Sequence, residues 1–226
     1  MKGLISVLMV IVSVGFVLAQ ESETRVVDSF RGIKASEAID VYLKKGTKES
    51  VKVEVTGTKL STVITEVSGT YLKIHMRDGN HRNINAKVYV TYVNLEKISV
   101  SSASNVFSDG TIKASSFEID ISSAGSVEVN LDVDKLTVDA SSAGDAVLEG
   151  KANTLNVEVS SAGDVDAYRL DCSIVRAHAN SGGSIKVSAT KELDAHANSA
   201  GSIRYRGSPA KTNTDSNSGG SVKKSN

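Results

Sequence analysis

Apolar and polar residues alternate in short, similar runs through the second half of the chain. Phe117, Ile119 and Ile121 are separated by Glu118 and Asp120; Leu136, Val138 and Ala140 by Thr137 and Asp139; Leu155, Val157 and Val159 by Asn156 and Glu158. The form returns over Val175–Ala179 and Leu193–Ala197. A period of two puts alternate side chains on opposite faces of an extended chain, so each run predicts a half-buried strand. Alternation resumes a few residues later, at Val127–Val129 and Ile185–Val187. Helical periodicity is absent from this half.

Between the runs stands a recurring hexapeptide. Its copies are Ser101–Val106, Ser122–Val127, Ser141–Ala146, Ser160–Val165, Asn180–Ile185, Asn198–Ile203 and Asn217–Val222, with starts 21, 19, 19, 20, 18 and 19 residues apart. Helical repeats need about 33 residues or more per unit, and the leucine-rich consensus is missing. The spacing therefore predicts an all-β fold, a parallel β-helix (β-solenoid) with coils of 18–21 residues, each one turn of the stack. Right-handedness is expected because parallel crossovers take that hand almost always. At about 4.8 Å per coil, seven coils rise about 34 Å.

The hexapeptide reads as the corner. The glycines at 125, 144, 163, 183, 201 and 220 are expected at positive φ. The preceding small residues, Ala143 among them, are expected to point into a cramped bend, where Ala143→Leu would overpack. In the last copy the strand is polar, with Thr212, Thr214 and Ser216 in the apolar places. Residues 212–226 therefore read as a capping coil and tail, closing an end that would otherwise expose core and strand edges.

Residues 98–211 form the regular solenoid by this reading, and residues 20–97 are strand-rich but irregular. Val51–Val55, Leu72–Met76 and Val88–Tyr92 alternate, and Gly46, Gly57 and Gly69 mark turns. Wider, irregular coils continuous with the regular ones are expected here; a separate small β-domain is the alternative. Leu60–Val67 has helix-compatible spacing, and the polar stretch Arg77–Asn83 reads as a hairpin tip.

The start of the chain is an address. Lys2 precedes an apolar run from Leu4 to Leu18, and Val17-Leu18-Ala19 fits the small-x-small cleavage pattern, so residues 1–19 read as a secretory signal peptide. Export to the periplasm, outer surface or extracellular space is expected, with no membrane span after cleavage. The run is short for a bilayer span.

Composition excludes several classes. At 226 residues and 40% hydrophobic, the chain is neither disordered nor collagenous. Its 26 basic and 26 acidic residues balance, which gives no reason to expect nucleic acid. A single cysteine, Cys172, rules out a disulfide framework within the chain; it reads as a free thiol at a corner, or as one end of an intermolecular disulfide. The balance conceals segregation. Residues 20–117 hold 14 bases and 11 acids, residues 118–171 hold 3 and 12, and residues 172–226 hold 8 and 3. Along a solenoid this becomes an acidic waist between basic ends, and a homo-oligomer formed by salt-sensitive association is a further expectation.

Phe30-Arg31-Gly32-Ile33, Ala38–Leu43, Gly69–Ile74 and the Ser-Ala-Gly corners together resemble the bacterial "auto-transporter adhesin, head GIN domain" family of secreted proteins, over roughly residues 25–222. The resemblance implies a β-helical fold and an envelope or extracellular setting, and no chemistry. The C-terminal membrane barrel of an auto-transporter has no counterpart in the sequence.

Two outward columns carry candidate chemistry. One, two residues before each hexapeptide, holds Asp139, Glu158, His178 and His196, a carboxylate and imidazole set to which a divalent cation is the candidate cofactor. Solvated polar positions are the plainer reading, and no cofactor is required. The other column holds Asp145 and Asp164 at the corner, with Tyr168 and Tyr205 nearby as ligand-binding candidates. Paired carboxylates suit glycoside hydrolysis, but repeat-derived acids without long loops are more often structural. The chain thus reads as a noncatalytic solenoid that presents repetitive faces to a cell-surface glycan or envelope protein. The alternative is a carbohydrate-active lyase or hydrolase on the same scaffold.

Overall fold

The computed structural model describes residues 21–79 and 84–225. The expected signal peptide, residues 1–19, and part of the polar tip at Arg77–Asn83 lie outside them. The strands are β1 (Glu21–Arg25), β2 (Gly32–Ala35), β3 (Asp40–Lys45), β4 (Ser50–Thr56), β5 (Val63–Ser68), β6 (Tyr71–Met76), β7 (Asn85–Tyr92) and β8 (Lys97–Val100). The chain continues through β9 (Asn105–Ile121), β10 (Ser126–Ala140), β11 (Asp145–Val159), β12 (Asp164–Ala179), β13 (Ser184–Ala197), β14 (Ser202–Arg206), β15 (Lys211–Ser216) and β16 (Ser221–Lys224). No α-helix occurs among the described residues. The expected helix at Leu60–Val67 is a single 3-10 turn, Leu60–Thr62, followed by β5, because Val63, Ile64 and Val67 pair with β6 instead.

From β8 onward the strands stack in parallel as a β-solenoid, each coil pairing with the next. Every coil has a ladder before the turn and a ladder after it. The alternation of burial breaks phase between them, as at Val133, Asp134, Lys135 and Leu136, where two consecutive residues are exposed. Inward positions stack like on like. Phe117, Leu136, Leu155, Val175 and Leu193 share one buried column, and Ile119, Val138, Val157, Ala177 and Ala195 another. A filled aliphatic core of this kind supplies the hydrophobic stabilisation. Towards the C-terminal end the core thins to Ala177, Ala179, Ala195 and Ala197, and in β15 the same positions are Thr212, Thr214 and Ser216, all exposed.

The turn differs from the expected corner in two respects. Gly144 N–H donates to the Ser141 carbonyl at 2.9 Å, and the residues between, Ser142 and Ala143, take φ of 51° and 60°. Two left-handed central residues are the pattern of a type I′ turn, which joins strands of right-handed twist without splaying them. The left-handed positions therefore belong to the Ser and the Ala or Gly, and Ala143 is exposed rather than turned inward. Gly144 is buried and has ordinary φ. A Cβ there would lie 2.8 Å from Ile121 Cγ2 and 3.0 Å from the Ile121 carbonyl oxygen, so glycine is needed for close approach of coils. In the first copy Ser104 takes this place. It is fully buried, and its hydroxyl accepts the Ile39 backbone N–H at 3.1 Å.

The N-terminal coils do not stack in chain order. β2 lies between β6 and β8, and β3 between β7 and β9, so the coil formed by β6 and β7 is outermost of the three. Above it β4 runs antiparallel to β7 and β5 antiparallel to β6, and β1 is antiparallel to β4. Reversed strands thus close the N-terminal end of the core.

Candidate functional site

The outer surface of the pre-turn ladder carries the first expected column in hydrogen-bonded register. Ser99, Asp120, Asp139, Glu158, His178, His196 and Asp215 are successive partners. The hexapeptide resets the phase once per coil, so the same offset always points outward. Lys97 closes one end of the acidic run. It pairs with Glu118 and lies 2.6 Å from Asp120. Burial opposes the Lys97 charge, but its hydrogen bonds to Asp120 and Glu118 outweigh that and raise its pKa. Asp139 forms no ion pair among the described residues; burial, then Glu158 and Asp120, raise its pKa against the weaker opposing pull of Lys97. At the other end the His178 and His196 rings stack with centroids 5.1 Å apart, and His196 Nε2 meets Asp194 Oδ1 at 3.0 Å. Asp139, Glu158 and His178 line a shallow groove of about 170 Å³ with Asn180. Among the described residues no group of three or more His, Cys, Asp or Glu side chains is placed to hold a metal ion.

On the post-turn ladder Asp145 and Asp164 are direct partners, in a column with Ser126, Ser184, Ser202 and Ser221. Burial and the Asp164 charge raise the Asp145 pKa. Tyr168 is not an open platform. The Arg206 guanidinium lies 4.1 Å from its ring centroid, and its hydroxyl pairs with the Ser225 hydroxyl at 2.9 Å. Tyr205 is half-buried against the core. Cys172 is inward in β12 and 1% exposed, so it is a core residue rather than a corner one, and burial pushes its thiol up to about 12.

Two features escaped the sequence reading. The first is an aromatic ladder. Tyr42 stacks on Tyr89 at 5.1 Å and on Phe107 at 5.3 Å, on the outer side of β7, β3 and β9. Lys52 Nζ lies 5.8 Å from the Tyr89 centroid. Tyr42 has a ring on either face, so the ladder stabilises the sheet more than it offers a stacking surface for sugars. The second is an open groove of about 770 Å³ where the N-terminal coils turn, lined by Arg31, Tyr71, Asn94, Glu96, Lys97 and Lys113 among others. Its charges are paired, Arg31 with Glu96 at 2.7 Å and Lys113 with Asp132 at 2.9 Å. Segments that meet only through the out-of-order stacking build it, and no local motif announces it.

The chain is therefore a β-solenoid whose outward residues form long in-register columns. It belongs to the family described as "putative auto-transporter adhesin, head GIN domain", whose family model matches residues 29–209. A "putative adhesin" of Bacteroides fragilis has the same fold, with a TM-score of 0.84 and 22% identity, covering 92% of this chain and 97% of that one. A second, from Parabacteroides distasonis, gives a TM-score of 0.74 at 20% identity over 92% and 97% of the two chains. A "putative lipid binding protein" from the same species gives 0.66 at 18% over the same shares. No curated protein matches the chain. Among the described residues no helix is long and apolar enough to cross a membrane.

Proposed function

We propose that the chain is an exported, noncatalytic solenoid that works in adhesion at the cell envelope, binding a partner along its outer columns. The observation that carries this reading is the unbroken register from Ser99 to Asp215 on one surface. A repeating surface engages an extended partner at several coils at once, so weak contacts add up. Family membership points the same way. The described grooves are open and polar, Tyr42 has a ring stacked on either face, and Tyr168 is covered by Arg206.

The test joins two assays on the purified protein. Retention on isolated envelope fractions and a glycan array is expected, and degradation of the same polysaccharides is not. Turnover that disappears in Asp145→Asn or Asp164→Asn would reassign the chain as a carbohydrate-active enzyme.

A further inference from the structure

We infer that the C-terminal coils of the post-turn ladder bind an acidic polysaccharide, an inference that rests on the adhesion reading and names its ligand class. Lys186, Arg204 and Lys223 are successive partners on β13, β14 and β16. Like charges set directly opposite one another destabilise a sheet. Elsewhere a cation faces an acid across the strands. Lys44 meets Asp109 at 3.5 Å, Lys113 meets Asp132 at 2.9 Å, Arg169 meets Glu149 at 2.5 Å and Lys211 meets Glu192 at 2.9 Å. The other pair of facing cations, Lys34 and Lys73, is offset locally, by Glu66 as the second partner of Lys73 and by the Tyr71 ring 4.8 Å from Lys34 Nζ. On the basic ladder only Lys186 has an acid, Asp166 at 3.0 Å. Arg204 and Lys223 are exposed and form no ion pair among the described residues. Residues 184–190, 202–206 and 221–224 contain no Asp or Glu. A violated pairing rule that nothing local offsets marks a surface kept for a partner.

The neighbouring columns suit a polyanion built of sugars. Ser184, Ser202 and Ser221 run beside the cations, two residues earlier on the same outward side, and supply hydroxyls at every coil. Arg206 is held over the Tyr168 ring, itself tied to Ser225, so that cation is pre-organised. The cations recur at the strand spacing of about 4.8 Å. A chain with one carboxylate per sugar places its charges at close to that interval, and Arg204 can take a carboxylate in two parallel hydrogen bonds. Single-stranded nucleic acid, the other common polyanion, is held by stacking its bases on aromatic faces. Here the aromatic face at hand, Tyr168, is occupied by Arg206.

The test is titration of protein expressed from the full-length chain with polygalacturonate oligosaccharides, with neutral dextrin and a single-stranded DNA oligomer as comparisons. Saturable binding to the uronate that weakens with added salt is expected, with none to dextrin and weaker binding to DNA. The double variant Arg204→Ser, Lys223→Ser should lose at least tenfold in affinity at a melting temperature no lower than that of the native protein, since relieving the facing cations removes a repulsion. Lys211→Gln, on the pre-turn ladder, should retain it. No uronate binding by the native protein, unchanged affinity in the double variant, equal loss in Lys211→Gln, or DNA binding as tight as uronate would each overturn the inference. Retention on envelope fractions is read separately, so the ligand class can fail while adhesion stands.

Discussion

The two halves of the solenoid use the same inward columns but reach them differently. From β9 onward each coil packs on the coil before it in sequence, and one turn geometry serves throughout. Before β9 the stacking order departs from the chain order and the end strands reverse, although the left-handed pair of the regular turn already appears at Glu37 and Ala38, with φ of 69° and 58°. The difference shows what a solenoid needs at its start. A regular coil can rely on the previous one to cover its edge and core, but the first coil has no predecessor. Antiparallel β4 and β5 provide that cover at the N-terminal end. A polar last coil does so at the other, where Thr212, Thr214 and Ser216 take the inward places.

The largest expected effect breaks the regular half. A Cβ at Gly201 would sit 2.3 Å from the Ala179 carbonyl oxygen, so Gly201→Val should cost about 3 kcal/mol, measured by denaturant unfolding. Gly69, in the reversed N-terminal hairpin, has φ of +62° and nothing within 4 Å of an added Cβ; Gly69→Ala should cost only its left-handed strain, about 1–2 kcal/mol. Equal losses would mean that close coil approach is not what distinguishes the halves.

The seam comes next. Ser104 accepts the Ile39 N–H, and Ser104→Gly would leave that buried donor unpaired at a cost of about 1–3 kcal/mol. This is notable because glycine occupies the equivalent position in the other six hexapeptides. An unchanged unfolding midpoint would show that the first regular coil does not depend on the coil of β2 and β3.

Smaller effects sharpen the account of the regular surface. Ala143 is exposed at φ of 60°, so Ala143→Gly should stabilise by about 0.5–1 kcal/mol, and Ala143→Leu should not overpack the core. The smallest effect is electrostatic. Burial and the neighbouring Glu158 and Asp120 hold the folded Asp139 pKa above its unfolded value. The stability linked to that group is therefore present below the unfolded carboxylate pKa and is lost as pH rises through the folded one. Asp139→Asn should raise the melting temperature at pH 7, by under about 1 kcal/mol in stability, and the gain should vanish in acid. A gain that persists at low pH would assign the effect to packing instead.

The regular half was readable in advance because exact alternation and a phase-setting hexapeptide leave one register. Asp139, Glu158, His178 and His196 fall in the column expected of them for that reason. Which turn residues face inward was misread. A type I′ turn sends two residues outward at positive φ, so the phase resumes at the glycine rather than at the alanine. Cys172 was misplaced because the post-turn ladder slips register between β11 and β12, which hides its inward phase. The aromatic ladder joins Tyr89, Tyr42 and Phe107 out of chain order, and no local pattern reveals that. The basic ladder did leave a trace. Lys186, Arg204 and Lys223 each follow directly after their hexapeptide.

The stacking order is the central structural claim, since it sets the N-terminal closure and the aromatic ladder. Lys34 is the direct partner of Ser99 on one side and of Lys73 on the other. Cysteines at 34 and 99 would have Cα atoms one strand spacing apart, about 4.8 Å and within disulfide range, whereas those at 73 and 99 would be two spacings apart. Cys172, buried with its thiol pushed up to about 12, does not compete. Mild oxidation of Lys34→Cys, Ser99→Cys should give an intramolecular disulfide, seen as a mobility shift and an intact cross-linked peptide. Failure of that pair together with cross-linking of Lys73→Cys, Ser99→Cys would put the coils in chain order and contradict the account.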